Sequence, residues 1–107
     1  MNLLTRSEEL TLLAVWNLQE NAYGATIRQR ISDVTGHEWS FGAVYVPLER
    51  LVGKRYVDSF KGEATSKRGG RRKRYFTLTH LGRAALTHIR SVQDELWAST
   101  LPVPEVR

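Results

Sequence analysis

The stretch from Trp39 to Thr79 constrains the fold most, because a helical pattern in it is followed by two strand patterns around a glycine-rich, basic loop. Val44, Leu48 and Leu51 recur at the spacing of one helix face. Ser40 precedes them at the position of an N-cap. Two runs with aromatic and β-branched residues follow, separated by the loop, and this arrangement is typical of a β-hairpin. The segment therefore predicts a short amphipathic helix joined to a hairpin.

The positive charge of the chain is concentrated in the loop of this hairpin. Between Lys61 and Tyr75 seven basic residues face a single acidic one, Glu63, so the segment carries a net charge of +6, whereas the whole chain carries +5. The seven are Lys61, Lys67, Arg68, Arg71, Arg72, Lys73 and Arg74. Like charges repel one another, so crowding them does not stabilise a loop, and their concentration indicates a polyanionic partner.

Length and composition exclude several classes of protein. A chain of 107 residues without cysteine is expected to form one domain that has neither disulfide bonds nor thiolate metal sites. No apolar run approaches the roughly 18 residues of a membrane span, so we expect a cytoplasmic protein without a membrane partner. His37, His80 and His88 are dispersed, and no catalytic, metal-binding or phosphate-binding motif accompanies them. We therefore expect no enzyme activity, no cofactor and no metal.

Two further helices precede the central segment. Thr5 and Glu8 have the spacing of a capping box at the start of a first helix that is apolar on more than one face. The second helix has a narrower apolar stripe, formed by Ile27, Ile31 and Val34. It is expected to end near Gly36. The first helix has more apolar surface than a small domain can cover, which favours a contact between part of it and a second subunit.

A last helix follows Thr79, which is a suitable N-cap residue. Its apolar positions follow 4, 3, 4 spacing and are called here the terminal stripe: Ala85, Ile89, Val92 and Leu96. The helix can fold back onto its own domain or pair with a second copy. Three helices and a hairpin already close a small core, so the terminal stripe would be left unburied and pairing is favoured.

Three helices, the third exposed and followed by a basic hairpin, form the winged helix-turn-helix, whose third helix enters the DNA major groove. The chain also resembles PadR-type transcriptional regulators over nearly its whole length, through the sequences AYGATIRQRI, GAVYVPLERL and GGRRKRYFTLTHLGRAAL. We expect a mainly α fold with a small β-hairpin. Residues 1–79 would form the winged helix-turn-helix, 80–100 a dimerisation helix and 101–107 a tail.

The resemblance implies a function and a partner. It implies a homodimer whose subunits are joined mainly through the last helix, with a contribution from Trp16 of the first helix. This dimer would bind a pseudo-palindromic double-stranded DNA operator as a repressor. It also implies that Tyr45 and the hairpin residues Arg71, Arg72 and Lys73 lie at the DNA. An RNA-binding or protein-interaction module with the same fold is the alternative function.

Four other residues are added to the expected DNA interface from their positions in the sequence. They are Ser40 and Arg50 on the third helix and Lys67 and Arg68 in the loop. Burial in the core is the alternative for Tyr45, and exposure to water without a partner is the alternative for the loop arginines. Minor-groove insertion and clamping of the DNA backbone both fit the loop.

The tryptophans suggest a possible effector site. Some PadR-type proteins bind flat aromatic compounds between tryptophans at the dimer interface, and the resemblance implies such a site for a small aromatic effector at Trp16 and Trp97. Ordinary packing in the core or the interface is the stronger alternative, because aromatic residues at helical spacing usually fill space.

The sequence departs from the family pattern at two positions. Arg55 stands where relatives commonly have glycine, and Val46 separates Tyr45 from Pro47.

Overall fold

The computed structural model describes residues 3–62, 73–100 and 102. Over these residues the chain is mostly helical with one antiparallel hairpin, which confirms the predicted fold class. The helices are α1 (Arg6–Leu18), α2 (Gly24–Thr35), α3 (Phe41–Gly53) and α4 (His80–Ala98), and the strands are β1 (Val57–Lys61) and β2 (Arg74–Leu78). A short 3-10 turn, Gln19–Asn21, joins α1 to α2. Within the described ranges, no helix is both long enough and apolar enough to span a bilayer.

The core forms where α1 packs against α2, α3 and β2. Its larger members are Leu12, Val15, Ile27, Ile31, Val44, Leu48, Leu51, Val57, Phe76 and Leu86. The predicted inward face of α3 is therefore confirmed. Val34 was expected in the same stripe as Ile27 and Ile31 but is 64% exposed, in the last turn of α2.

The predicted capping box begins α1 and also ties it to α3. The Glu8 backbone N–H donates to Thr5 Oγ1 at 3.1 Å, and the Thr5 N–H donates back to Glu8 Oε1 at 2.9 Å. The second carboxylate oxygen of Glu8 accepts a hydrogen bond from Lys54 Nζ, at the end of α3, at 2.8 Å. Glu8 is only 2% exposed, so the chain holds a buried carboxylate that is fully hydrogen-bonded and paired with a cation.

Because of this pairing, the stability of the fold depends on pH in the acidic range. Burial by itself would raise the pKa of the Glu8 carboxyl, but the hydrogen bonds from Lys54 and Thr5 outweigh burial, so the pKa lies below its ordinary value. The native state therefore holds the proton less tightly than the unfolded chain does. The resulting stabilisation is complete above the unfolded pKa, about 4.3, and is lost as the pH falls through the folded-state value.

We expect Glu8→Gln to weaken the dependence of the free energy of unfolding on pH below about 4.5, the range where glutamate titrates. Urea unfolding between pH 7 and pH 3 measures this dependence. Lys54→Met is the companion variant, because it leaves the carboxylate in place and removes the cation that lowers its pKa. A Glu8→Gln chain with the full pH dependence of the wild type would show that another group is responsible.

The turn after α3 places a non-glycine residue in the left-handed region. The Tyr56 N–H donates to the Leu51 carbonyl and the Arg55 N–H to the Val52 carbonyl, both at 3.0 Å, which is the hydrogen-bond pattern of a Schellman motif. Arg55 has φ of 64°, whereas Gly53, the residue expected to mark the helix end, is the last helical residue and has no positive φ. The left-handed position is thus occupied by Arg55 rather than by a glycine.

Arg55→Gly is expected to raise the free energy of unfolding by about 0.5–1 kcal/mol. Glycine removes the energetic penalty of the left-handed conformation, and this gain exceeds the extra backbone entropy that glycine loses on folding. Thermal unfolding followed by circular dichroism measures the change. Arg55→Ala is the matched control, since it removes the side chain but retains a Cβ. Equal stabilisation by both variants would mean that the side chain, rather than the backbone, is the cause.

The junction between the hairpin and α4 is tightly packed. Thr79 caps α4 as predicted, because its Oγ1 accepts from the Gly82 N–H at 3.0 Å. The Thr79 hydroxyl donates to the Arg55 carbonyl at 2.8 Å, and its N–H donates to the Tyr56 carbonyl at 3.1 Å. A Cβ built on Gly82 would lie 2.2 Å from the Tyr56 carbonyl oxygen, so only glycine fits here without a shift.

Contrary to the prediction, the terminal stripe is buried along part of its length. Ala85 and Ile89 are 0% and 5% exposed, because the first half of α4 is covered by its own chain and packs against α1. Val92 is half-buried, and Leu96 beyond it is 65% exposed. The part of the terminal stripe that stays exposed therefore lies in the second half of α4.

Candidate nucleic-acid interface

The turn between α2 and α3 is held by hydrogen bonds that set the direction of α3. Gly36 ends α2 with φ of 81°. The Trp39 N–H then donates to Ser32 Oγ at 3.1 Å, and the Trp39 indole N–H donates to Thr35 Oγ1 at 3.0 Å. An arginine of α2, Arg28, donates to the Trp39 carbonyl at 3.2 Å. These bonds fasten the turn to α2, so α3 starts in a defined orientation.

Ser40 caps α3 as predicted, because its Oγ accepts from the Ala43 N–H at 3.1 Å. The other N–H groups of the first turn have no partner within the helix. Ser40 is itself exposed. The first turn of α3 thus presents backbone donors and a hydroxyl at the surface, a combination that suits an anion.

One side of α3 is exposed along its length. Its exposed residues are Phe41, Gly42, Ala43, Val46, Glu49, Arg50 and Gly53. They lie opposite or beside the buried face formed by Val44, Leu48 and Leu51. The helix continues through Pro47, which is buried, so the proline does not end it. Arg50, a predicted DNA contact, is exposed in the last turn.

The sequence left two interpretations of Tyr45 open, burial in the core and contact with DNA, and its surroundings have features of both. Its ring is half-buried and stacks on Phe41, with centroids 5.3 Å apart and an interplanar angle of 22°. Its hydroxyl lies 3.5 Å from Arg74 Nη1, at the start of β2. The ring therefore packs, whereas the hydroxyl lies where α3 and the hairpin meet.

Arg74 joins the hairpin to α3. Its guanidinium binds the Glu49 carboxylate on α3 and donates to Ser59 Oγ on β1 at 3.2 Å. It also lies over the Phe76 ring, with Cζ 4.9 Å from the ring centroid. Burial alone would lower the pKa of Arg74, but the hydrogen bonds with Tyr45 and Glu49 and the Glu49 charge outweigh burial and raise it.

This role of Arg74 differs from the one predicted. Arg74 was counted as one of the seven cations for a polyanionic partner, yet Glu49 neutralises it. Glu49 and Arg74 are 25 residues apart in the sequence, and no local spacing links them. No sequence signal therefore pointed to the pair.

The base of the hairpin loop lies beside α3. The Gly62 N–H donates to the Lys73 carbonyl at 2.8 Å, which closes the hairpin one residue beyond the Lys61 and Arg74 pair. Lys73 is exposed, and its Nζ lies 4.3 Å from the centroid of the Tyr23 ring. The predicted DNA contacts Lys67, Arg68, Arg71 and Arg72 lie outside the described residues.

The two tryptophans of the predicted effector site line one groove between α1 and α4. This α1–α4 groove has a volume of about 480 Å³, and Leu13, Leu86 and Ile89 line it as well. Trp16 is half-buried, whereas Trp97 is 72% exposed. The groove thus combines two tryptophans and three aliphatic residues with polar and charged ones, among them Glu9 and Gln93.

Comparisons with known proteins agree with this architecture. The sequence model of the transcriptional regulator PadR-like family matches residues 12–88. An uncharacterized protein of Lysinibacillus sphaericus is 31% identical over 74 residues, a match that takes in 67% of this chain and 65% of that protein. The chain therefore spans slightly less than two thirds of the length of that relative.

Solved structures show the same fold. A PadR family transcription regulator from Clostridium difficile superposes with a TM-score of 0.71 and is 19% identical, covering 88% of this chain and 93% of that chain. A PadR-like transcriptional regulator from Bacillus cereus has a TM-score of 0.69 and is 18% identical, covering 86% of this chain and 84% of that chain. With a family model that matches most of its length, this chain belongs to the PadR-like family of transcriptional regulators.

Proposed function

We propose that the chain is a homodimeric repressor that binds a two-fold symmetric DNA operator, with α3 of each copy in a major groove. The observation that carries the proposal is the contact of Arg74 with Glu49 and Tyr45. Because of this contact, Arg74 and its strand partner Lys61, at the two ends of the basic loop, lie beside the exposed side of α3. A reading helix and a basic loop are then available to one duplex.

Family membership supports the first part of the proposal, since it makes the chain a transcriptional regulator rather than an enzyme. The expectation that the chain has no enzyme activity is thereby confirmed. We propose that it acts on DNA in the bacterial cytoplasm.

Each predicted DNA contact has a part in the proposal. Ser40 and the first-turn N–H groups of α3 bind a phosphate, and the Tyr45 hydroxyl donates to a second phosphate oxygen. Arg50 contacts the duplex from the last turn of α3. Lys73, with Lys67, Arg68, Arg71 and Arg72, holds the DNA backbone.

Dimerisation in this proposal uses the second half of α4. Val92 and Leu96 present apolar surface there, and Trp16 of α1 lies on the same side of the α1–α4 groove as Leu13. Ala85 and Ile89 are already covered by their own chain, so they contribute by positioning α4 rather than by adding buried area. A flat aromatic effector would bind between Trp16 and Trp97 and release the operator.

Selection of bound duplexes from a random pool tests the proposal most directly. We expect a two-fold symmetric consensus whose half-sites are about one helical turn apart, because two copies of α3 enter successive major grooves. Short RNA hairpins serve as competitors at moderate salt. If these hairpins displaced the chain completely and no consensus emerged, an RNA-binding or protein-interaction module would be the better description.

Changing Arg71, Arg72 and Lys73 to alanine is expected to weaken binding to all duplexes. The slope of log K against log salt should fall by about 0.9 for each phosphate contact that is lost. Fluorescence anisotropy at several salt concentrations measures the slope. A chain with Arg6 and Arg90 changed to alanine is the control, since it loses charge from α1 and α4 instead. An unchanged slope in the triple variant would remove these residues from the interface.

A further inference from the structure

Two large apolar side chains of α3 are exposed at positions where charged or polar residues would be better solvated. Phe41 is 56% exposed and Val46 is 53% exposed. At 100° per residue, Val46 points away from the buried Val44 and Leu48, so it stands at the centre of the outward side. Two large apolar side chains on a proposed reading helix suggest that part of the ligand surface is apolar.

Both side chains are held in place before any ligand binds. The Phe41 ring stacks on Tyr45, and a Cβ built on Gly24 of α2 would lie 3.3 Å from its Cζ, so Phe41 rests against the start of α2. Val46 is β-branched, which leaves it one strongly preferred rotamer in a helix. Contacts made by these residues therefore cost little conformational entropy.

The chemistry of the major groove offers one apolar group, the 5-methyl of thymine, among hydrogen-bond donors and acceptors. We propose, on the basis of the DNA-binding function proposed above, that Phe41 and Val46 recognise thymine through this methyl group. Residues near the start of a recognition helix contact base edges, and both positions lie in the first half of α3. The basic loop that begins and ends beside α3 favours DNA over an apolar protein surface as the ligand of this face.

Replacement of thymine by deoxyuridine in the operator isolates the methyl group. Duplexes selected from a random pool by the wild-type chain are remade with deoxyuridine at each thymine in turn, and their affinities are measured by anisotropy. For the wild type we expect a loss of about fourfold at each contacted thymine, the equivalent of burying one methyl group. Val46→Ala should bind the thymine duplex more weakly and should no longer distinguish thymine from uracil at one position.

Val34→Ala is the matched control, because Val34 is also an exposed valine but lies on α2 rather than α3. It should retain the full preference for thymine. If the wild type bound thymine and uracil duplexes with equal affinity, methyl recognition would be overturned while DNA binding stands. If Val46→Ala still distinguished thymine from uracil as well as the wild type does, Val46 would have no part in methyl recognition. Failure to enrich any duplex over RNA hairpins would instead overturn the proposed function and this inference together.

Discussion

A chain that carries Val92→Lys and Leu96→Lys is expected to be monomeric and to bind its operator about 10²–10³-fold more weakly than the wild type, because two linked half-site contacts become one. Leu96 is 65% exposed in the single chain, so a lysine there disturbs little of the fold. In a two-fold dimer, the lysines of the two copies would face each other in an apolar interface, where like charges are costly. Light scattering and anisotropy measure the two effects.

The choice of positions follows from the burial of α4. A charge at Ile89 would cost folding energy in the single chain, where Ile89 is 5% exposed, so loss of the dimer could not be separated from unfolding. Val34→Lys is the control for oligomeric state, since it places a lysine at an exposed apolar position on α2. A double variant that remained dimeric and retained full affinity would move the interface away from the second half of α4.

Gly82→Ala is expected to lower the free energy of unfolding by about 1–3 kcal/mol, the usual cost of overpacking. Within a helix, alanine is normally favoured over glycine by about 1 kcal/mol, so the expected sign is reversed here. The reason is the close approach of α4 to the hairpin, where an added Cβ would meet the Tyr56 carbonyl oxygen at 2.2 Å and Leu78 Cδ1 at 2.8 Å. Chemical denaturation measures the loss.

Gly42→Ala is the matched control, because it makes the same change inside a helix where no atom lies within 4 Å of the added Cβ. It should stabilise the chain by about 0.5–1 kcal/mol. Equal stabilisation by both variants would show that α4 moves away from Tyr56 without cost.

Local features of the fold were predictable because their interactions join residues close in sequence. Thr5 with Glu8 forms a cap across three residues, and Ser40 and Thr79 cap α3 and α4 in the same way. The hairpin was equally recognisable, because the alternation and composition of its strands are properties of short segments. The basic loop and the motifs shared with a known family are also carried by short segments, and they pointed to a DNA-binding regulator.

Features that depend on distant residues were not predictable. The partner of Glu8 is Lys54, 46 residues away, and the partner of Arg74 is Glu49. The turn after α3 is a local exception, because its hydrogen bonds reach only Leu51 and Val52, and its left-handed residue is Arg55 rather than Gly53.

The amino-acid sequence by itself determined the helices, their caps and the basic hairpin, because periodicity, capping and charge are properties of neighbouring residues, and its resemblance to a known family indicated the class of regulator. Only the tertiary structure decided which part of the terminal stripe remains exposed, which arginine is neutralised and which apolar residues of α3 stay exposed. These outcomes depend on how the elements pack, and packing brings together atoms whose separation along the chain carries no information about their distance in space.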